Sequence, residues 1–350
     1  MTTDRPGRRI TQRDIARLAG VSQPTVSLVL NGRSDASIRI PQETRERVLR
    51  VIRESGYVPD PVARRLAARN NQILGVFTYE AVFPSDTNDF YHPFLLGIEE
   101  AAELAGCDLL LLTSASVTGG RRRAFGDDNR LRLADGCLLL GRSLNRDDLT
   151  RMVADGYPFV AVGRRDDAGG PVPYVGADYA TAVGHLVARA VTRGHRRIAY
   201  LGLPSEVESS ADRHRGFLRA AEEARGSDAR VVLDELSPGR DPDELLTALL
   251  AAEATVVLIE HFATAVDLVA AARQRGLAVP ADLSVVTLGD PTTPVPSDVD
   301  FTGFHIPREE MGRQAVALLT EILDGTAHTT QRLLPCEPVA GTTLAPPHAR

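Results

Sequence analysis

Residues 20–32 read GVSQPTVSLVLNG, and they place a proline inside an apolar helical face. Val21, Thr25, Val26, Val29 and Leu30 are spaced along one side of a helix, a side that Pro24 should break if it lay mid-helix. Ser22 resolves the conflict. As an N-cap it makes Gln23 and Pro24 the first two helical residues, whose N–H groups have no intrahelical partner in any helix. A helix is therefore expected from Gln23 to about Asn31. Upstream, TQRDIARLAG (residues 11–20) opens with Thr11 and has Asp14 three residues on, a capping-box-like start. Ile15, Leu18 and Ala19 follow at helical spacing, and Gly20 suits a left-handed stop. Two short helices joined by Ala19-Gly20-Val21 make a helix-turn-helix, packed through Ile15, Ala19, Val21, Val26 and Val29.

Charge separates this head from the rest of the chain. Residues 1–70 hold fourteen Arg and seven acidic residues, whereas residues 71–350 hold twenty-six Arg and thirty-nine acidic residues. A basic head on an acidic body is the electrostatic footprint of a polyanion binder. Every one of the forty basic residues is arginine. At 350 residues, with a mean hydropathy of -0.11, the chain suits two or three domains with a sizeable core. The three cysteines, Cys107, Cys137 and Cys336, are far apart and show no metal-ligand or disulfide-framework spacing. No apolar run is long enough for a membrane span, and MTTDRPGRRI lacks the apolar stretch of a secretory signal, so a cytoplasmic protein is expected.

After the head, Pro41 starts a third helix, PQETRERVLRVIRESG, with Val48, Val51 and Ile52 on one face. YVPDPVARRLAAR (residues 57–69) then gives a short helix between prolines, with little apolar surface of its own. From Ile73 the pattern becomes apolar runs alternating with amphipathic stretches. The runs include ILGVFTY, CDLLLLT, GCLLLG, PFVAVG, RIAYLG, ARVVL, ATVVLIE and LSVVTLG. Continuous apolar strands alternating with helices predict parallel sheets covered on both faces, with ligands at strand C-terminal ends.

These stretches together resemble the LacI/GalR (lactose repressor) family. DIARLAGVSQPTVSLVLNG, TRERVLRVIRESGYVPDPVARRLA and ILGVF carry the likeness in the head. GHRRIAYLG, ADRHRGF, RGLAVPADLSVV and PREEMGRQAVALLTEILDG carry it through the core. One loop, GRSDASIRI (residues 32–40), looks about four residues longer than in the lactose repressor. The resemblance implies a helix-turn-helix DNA-binding domain over 1–58, a hinge helix over 59–70, and a two-lobed, periplasmic-binding-protein-like α/β core over 71–345. The N-lobe would be about 71–176 and 305–330, and the C-lobe about 177–303 and 331–345, with three crossings between them.

The implied function is a ligand-responsive regulator, most simply a repressor. It would bind a palindromic double-stranded operator as a homodimer, with tetramers left open. Gln23 and Pro24 would face base edges at the start of the second helix, and Leu28 one turn later; Gln can pair with adenine, while Leu offers only apolar contact. Many relatives carry arginine at the Leu28 position. Thr11, Ser22, Thr25, Ser27 and Asn31 are implied DNA contacts, the short polar side chains suiting phosphates. In the hinge, Leu66 would wedge between base pairs, Val62 and Ala63 would allow close helix approach, and Arg64 and Arg65 would meet phosphates. Tyr91, Arg213, His261 and Asp290 are the implied effector contacts. A carbohydrate or its phosphate is the default ligand, although Glu260-His261 stands where relatives often have Asn-Asp, and Gly289 replaces an acid. No cofactor or metal is expected. Histidines at metal spacing, a Gly-x-Ser-x-Gly elbow and a Walker loop are all missing from the sequence, which argues against an enzyme. AVGRRDDAGGPV (residues 161–172) is Gly-rich but does not open a helix. The alternative reading is a small-molecule binding protein or sugar-handling enzyme with an N-terminal interaction module.

Overall fold

The structure is a computed structural model that describes residues 10–31, 40–55, 57, 71–80, 90–113, 117–118, 121–122, 124, 130–202, 207–224, 230–235, 241–291 and 295–348. The chain divides after Asn71 into two compact units. The first holds α1 (Gln12–Ala19), α2 (Gln23–Asn31) and α3 (Gln42–Ser55). Thr11 caps α1: its hydroxyl accepts from the Asp14 N–H, and the Asp14 carboxylate accepts from the Thr11 N–H at 3.0 Å. Gly20 ends the helix at φ +65, a conformation that costs glycine nothing. Ile15, Ala16, Ala19, Val26, Val29, Val48 and Tyr57 form the core of the head, with Val21, Leu30, Val51 and Ile52 packed against it. Leu18, at helical spacing from Ile15 but outside the expected packing set, is 59% exposed, while Ala16 is buried. Both triplets, 15-16-19 and 15-18-19, span about 100° of the helical wheel, so spacing alone does not choose between Ala16 and Leu18. Arg47 on α3 donates to the Ala19 carbonyl at 3.0 Å, which satisfies an orphan acceptor at the end of α1.

The second unit has two lobes, each a parallel sheet between helices. In the N-lobe, a six-stranded sheet has the order β13-β7-β6-β5-β1-β2. Its strands are β1 (Ile73–Thr78), β2 (Asp108–Leu112), β5 (Gly136–Leu140), β6 (Phe159–Val162), β7 (Tyr174–Ala177) and β13 (Gln331–Leu334). Every pairing in it is parallel. Alternation along the strands splits the core into two faces. Leu74, Val76, Leu138, Leu140, Val160 and Val162 face α4 (His92–Leu104) and α10 (Arg308–Asp324). Phe77, Cys137, Leu139, Phe159 and Ala161 face α5 (Arg146–Ala154) on the other side. A small antiparallel hairpin, β3 (Val117–Thr118) and β4 (Arg121–Arg122), lies in the same unit.

In the C-lobe, a four-stranded parallel sheet has the order β11-β10-β8-β9. It is built from β8 (Arg197–Gly202), β9 (Arg230–Glu235), β10 (Val256–Ile259) and β11 (Ser284–Thr287). One face packs on α6 (Tyr179–Thr192) and α7 (Glu208–Ala224), the other on α8 (Pro242–Ala251) and α9 (Phe262–Gln274). An antiparallel pair, β12 (Gly303–His305) with β14 (Glu337–Val339), completes it.

The boundary expected near residue 330 shifts. Gln331–Leu334 pairs with β7 and finishes the N-lobe sheet, so only the segment from about Glu337 onward joins the C-lobe. The backbone groups of β7 would otherwise be an unpaired edge next to the crossover. The chain thus passes between lobes at three places, around Tyr179, Ile306 and Cys336. Each of those side chains packs against the cores of both lobes.

The C-terminal tail is held by His195. Its ring is fully buried, with Nε2 donating to the Ala345 carbonyl at 2.7 Å and Nδ1 facing the Thr255 hydroxyl at 2.9 Å. Burial lowers its pKa below 6.5. The unfolded chain therefore takes the proton first, and stability is lost as pH falls below about 6.5. Thermal unfolding between pH 7 and pH 5 is expected to show a steeper loss of Tm in the wild type than in His195→Gln. Equal slopes would show that His195 does not hold the tail in its neutral form.

Candidate functional site

The head presents one candidate surface. Helix α2 begins at Gln23, and the Ser22 hydroxyl accepts from the Thr25 N–H at 3.4 Å while facing the Thr25 hydroxyl at 2.8 Å. Pro24 sits in the first turn, where no N–H is needed. Ser22, Gln23 and Pro24 are exposed, and Gln23 donates to Gln12 Oε1 at 2.7 Å, which fixes the amide next to the start of α1. Thr25, Ser27 and Leu28 are half-buried. Leu28 is absent from the apolar residues packed on the head's core, although its neighbours Val26, Val29 and Leu30 belong there. Among the described residues its side chain is not part of that core. Thr11 is exposed but its hydroxyl is committed to Asp14 at 2.7 Å, so its observed role is capping. Asn31 closes α2. Val62, Ala63, Arg64, Arg65 and Leu66 lie outside the described residues.

The second candidate is a cavity of about 320 Å³ between the lobes of the core. Its walls follow from topology. Leu140, Gly141 and Arg142 continue from the C-terminal end of β5, Val162 to Arg165 from β6, and Glu260 and His261 from β10. Ser209, Ser210, Asp212 and Arg213 come from the first turns of α7, after β8. Both parallel sheets thus aim their carboxyl ends at one crevice, the usual place for a ligand in such sheets. Gly163, at φ +105, makes the sharp turn after β6 that lets the Arg165 guanidinium fold back beneath it.

Phe90, Tyr91, Phe94 and Met311 form an apolar wall. Tyr91 is buried and its hydroxyl donates to Glu80. The Phe90 ring stands edge-on to Tyr91, with centroids 5.2 Å apart, and the Arg142 guanidinium lies 4.9 Å over the Phe90 ring. Opposite, Arg213 is 8% exposed; it donates to the Leu288 carbonyl at 2.9 Å and the Ser209 carbonyl at 3.0 Å. Its guanidinium stacks 3.7 Å over the Tyr179 ring. Glu260 accepts from Tyr200 and from Ser210 at 2.9 Å. His261 caps α9, and its Nδ1 faces Thr264 at 3.0 Å.

Ion pairs join the lobes across the crevice. Arg164, after β6, donates to Asp212 on α7 at 2.5 Å, and Arg165 approaches Glu208 on α7 at 3.4 Å. Arg165 is 4% exposed and also donates to the Gly141 carbonyl at 2.6 Å. Its burial lowers its pKa, and Glu208 offsets part of that cost.

Of the four expected effector residues, Tyr91, Arg213 and His261 line the cavity and Asp290 does not. Asp290 accepts from the Ile306 N–H at 2.8 Å and from Arg308 at 3.0 Å, while its carbonyl accepts from Arg308 at 2.7 Å. Its carboxylate is spent on the second crossover. Arg142, Arg164 and Asp212 were not singled out from the sequence, and Glu260 was noted only as a departure from relatives. The one available signal was the pair Arg164-Arg165 directly after an apolar strand, in the Gly-rich stretch considered only as a nucleotide loop.

Cys336 sits at the third crossover, and burial pushes its thiol up to about 12. At pH 8 its thiolate fraction is then on the order of 10⁻⁴, against about a quarter for a free cysteine of pKa ~8.5. Iodoacetamide at pH 8 is expected to leave Cys336 unlabelled in the native protein and to modify it in urea, as read by peptide mass mapping. Labelling at the free-thiol rate in the native state would show an open crossover.

Comparison with known proteins fits this geometry. Residues 11–60 match the bacterial regulatory proteins of the lacI family, and residues 187–344 match the periplasmic binding protein-like domain. The chain is 31% identical over 349 residues to the HTH-type transcriptional regulator CelR of Thermobifida fusca, covering 93% of this chain and 96% of that one. Among solved structures, the Lac repressor dimer bound to operator and the anti-inducer ONPF superposes with a TM-score of 0.71 at 21% identity, over 97% of this chain and 100% of that one. A CelR–cellobiose complex superposes with a TM-score of 0.58 at 26% identity, over 96% of this chain and 100% of that one. A helix-turn-helix head joined to a two-lobed α/β core, with this sequence similarity along nearly its whole length, places the chain in the LacI family of bacterial transcriptional regulators.

Proposed function

We propose that this regulator binds a palindromic operator as a homodimer and that a small molecule in the interlobe cavity controls its affinity. The observation that carries the reading is the pairing of an exposed helix start at Ser22-Gln23-Pro24 with a preformed cavity at the carboxyl ends of two parallel sheets. Gln23, Pro24 and Leu28 would read bases, and Ser22, Thr25, Ser27 and Asn31 would meet phosphates. Thr11 would act through its cap. Val62, Ala63, Arg64, Arg65 and Leu66 would form the minor-groove hinge implied by the resemblance. Tyr91, Arg213 and His261 would contact the ligand. Its default chemistry is a carbohydrate or carbohydrate derivative; a CelR is described with cellobiose. The site would act in the cytoplasm, by binding rather than by catalysis.

Dimerisation is supported by an apolar edge. Strand β2 ends the N-lobe sheet, and beside it Leu96 and Leu104 on α4 and Leu109 on β2 are exposed, Leu104 by 83%. A single head reads one half-site, so two heads need a two-fold partner.

A gel-shift titration on the DNA upstream of the chain's own gene is expected to give a sequence-specific complex that weakens steeply with salt. Absence of any specific shift, with and without candidate ligands, would favour a binding protein with an interaction module. On the operator so defined, Leu28→Arg is expected to change the preferred base at one position per half-site, by about 1–3 kcal/mol of discrimination. An unchanged preference would mean that Leu28 does not face bases.

A further inference from the structure

The first two helices of the head also meet outside their shared core, through a bridge between two side chains. Gln12 is the first residue of α1 and Gln23 the first of α2. Gln23 donates from Nε2 to Gln12 Oε1 at 2.7 Å. Neither residue belongs to the apolar core of the head, and Gln23 is exposed. The backbone on each side of this bond is pinned. Thr11 and Asp14 cap α1 reciprocally, and the Ser22 hydroxyl accepts from the Thr25 N–H at the start of α2. Ile15, Ala19, Val26 and Val29 pack the two helices together. The bridge therefore joins two positions that are already fixed.

An exposed hydrogen bond between neutral amides replaces bonds to water, so it adds little to stability. Ordering a glutamine side chain also costs rotamer freedom. What the bridge supplies is orientation. A glutamine amide carries one acceptor oxygen and two N–H donors. Adenine offers a donor at N6 and an acceptor at N7, so it needs the oxygen and one N–H of the amide together. With one N–H given to Gln12, Gln23 keeps that set. Its Oε1 and its second N–H have no hydrogen-bond partner among the described residues. The reversed bridge, with Gln12 donating to Gln23 Oε1, would leave Gln23 presenting two donors, which suit the paired acceptors of guanine instead. A side chain ordered before binding also loses less freedom on binding. Gln12 keeps its own two N–H donors, likewise without a partner among the described residues, and these suit a backbone phosphate.

We propose that Gln12 is a positioning residue for sequence recognition: it accepts one N–H of Gln23 and holds that amide in the orientation that reads adenine at one position of each half-site. The proposal rests on the operator reading above. It goes beyond it by giving a residue of the first helix a role in specificity and by fixing which base Gln23 reads.

The test uses the full chain. A half-site is defined by footprinting on the DNA upstream of the chain's own gene, and a set of duplexes then carries each of the four base pairs at each position. Relative Kd values are read by fluorescence anisotropy at fixed salt. The wild type is expected to prefer an A·T pair at one position by roughly tenfold. Gln12→Leu, which removes the acceptor, is expected to lower that preference about threefold or more and to leave the preferences at other positions unchanged. Gln12→Glu has a carboxylate that accepts but cannot donate. It is expected to keep the A·T preference while weakening binding to all sequences alike, through its charge. This rescue separates positioning from folding, since a damaged head would lose preference at every position. In a Gln23→Ala background, Gln12→Leu is expected to change nothing further at that position. An unchanged A·T preference in Gln12→Leu would overturn the proposal. A preference lost at a different position would overturn it too, because Gln12 would then read a base itself. So would a switch of preference in Gln12→Glu, which would mean that the wild-type bridge runs the other way. A wild type that forms no specific complex would sink the operator reading, a result distinct from a specific complex indifferent to Gln12.

Discussion

The two lobes are tied by three chain crossings that share a single packed seam. Tyr179, Ile306 and Cys336 each touch both cores, so no lobe can rotate without repacking all three. The polar part of the seam is the Asp290–Arg308 pair, in which a guanidinium 7% exposed binds both the carboxylate and the carbonyl of one residue. The Asp290 side chain is 26% exposed, so removing one partner of this part-buried pair costs less than the roughly 3–5 kcal/mol of a fully buried one. Tyr179 is also the platform for Arg213. The seam that limits lobe motion is therefore one wall of the ligand cavity. A molecule that pulls on Arg213 pulls on the hinge of the core.

Across the crevice, the largely buried pairs Arg164–Asp212 and Arg165–Glu208 span the lobes. These pairs and the seam are the contacts that a change of lobe arrangement would have to repack: polar pairs on one side, apolar side chains on the other. Such a change is what ligand control requires, since a ligand shifts an equilibrium only by binding one arrangement better than the other.

Much of this architecture was legible in the residues. Ser22, Pro24 and Gly20 fix where two helices begin and end, because capping and proline chemistry are local. The long apolar strands announced parallel sheets. Strand β7, Tyr174–Ala177, and strand β13, Gln331–Leu334, were not legible. Each has four residues, and QRLL alternates half-exposed positions at a sheet edge, where burial leaves no apolar run. The cavity was legible only where a motif marked it. Tyr91, Arg213 and His261 stood out by resemblance. Arg142, Arg164 and Asp212 meet through pairing between lobes, and no spacing along the chain encodes that. Asp290 lies outside the cavity lining for the same reason: its partner Arg308 comes from beyond the next strand.

The central claim is that the core's lobe arrangement and the head's affinity for DNA are linked. The most direct measurement is operator affinity, by fluorescence anisotropy at fixed salt, for the full chain carrying Asp212→Asn. This residue belongs to the core unit and lies in the interlobe pair, outside the DNA-binding unit. Coupling free energies of about 1–3 kcal/mol predict a change of roughly 5-fold or more in the specific Kd, with non-specific binding unaltered. A folded variant whose operator affinity equals that of the wild type would contradict the account.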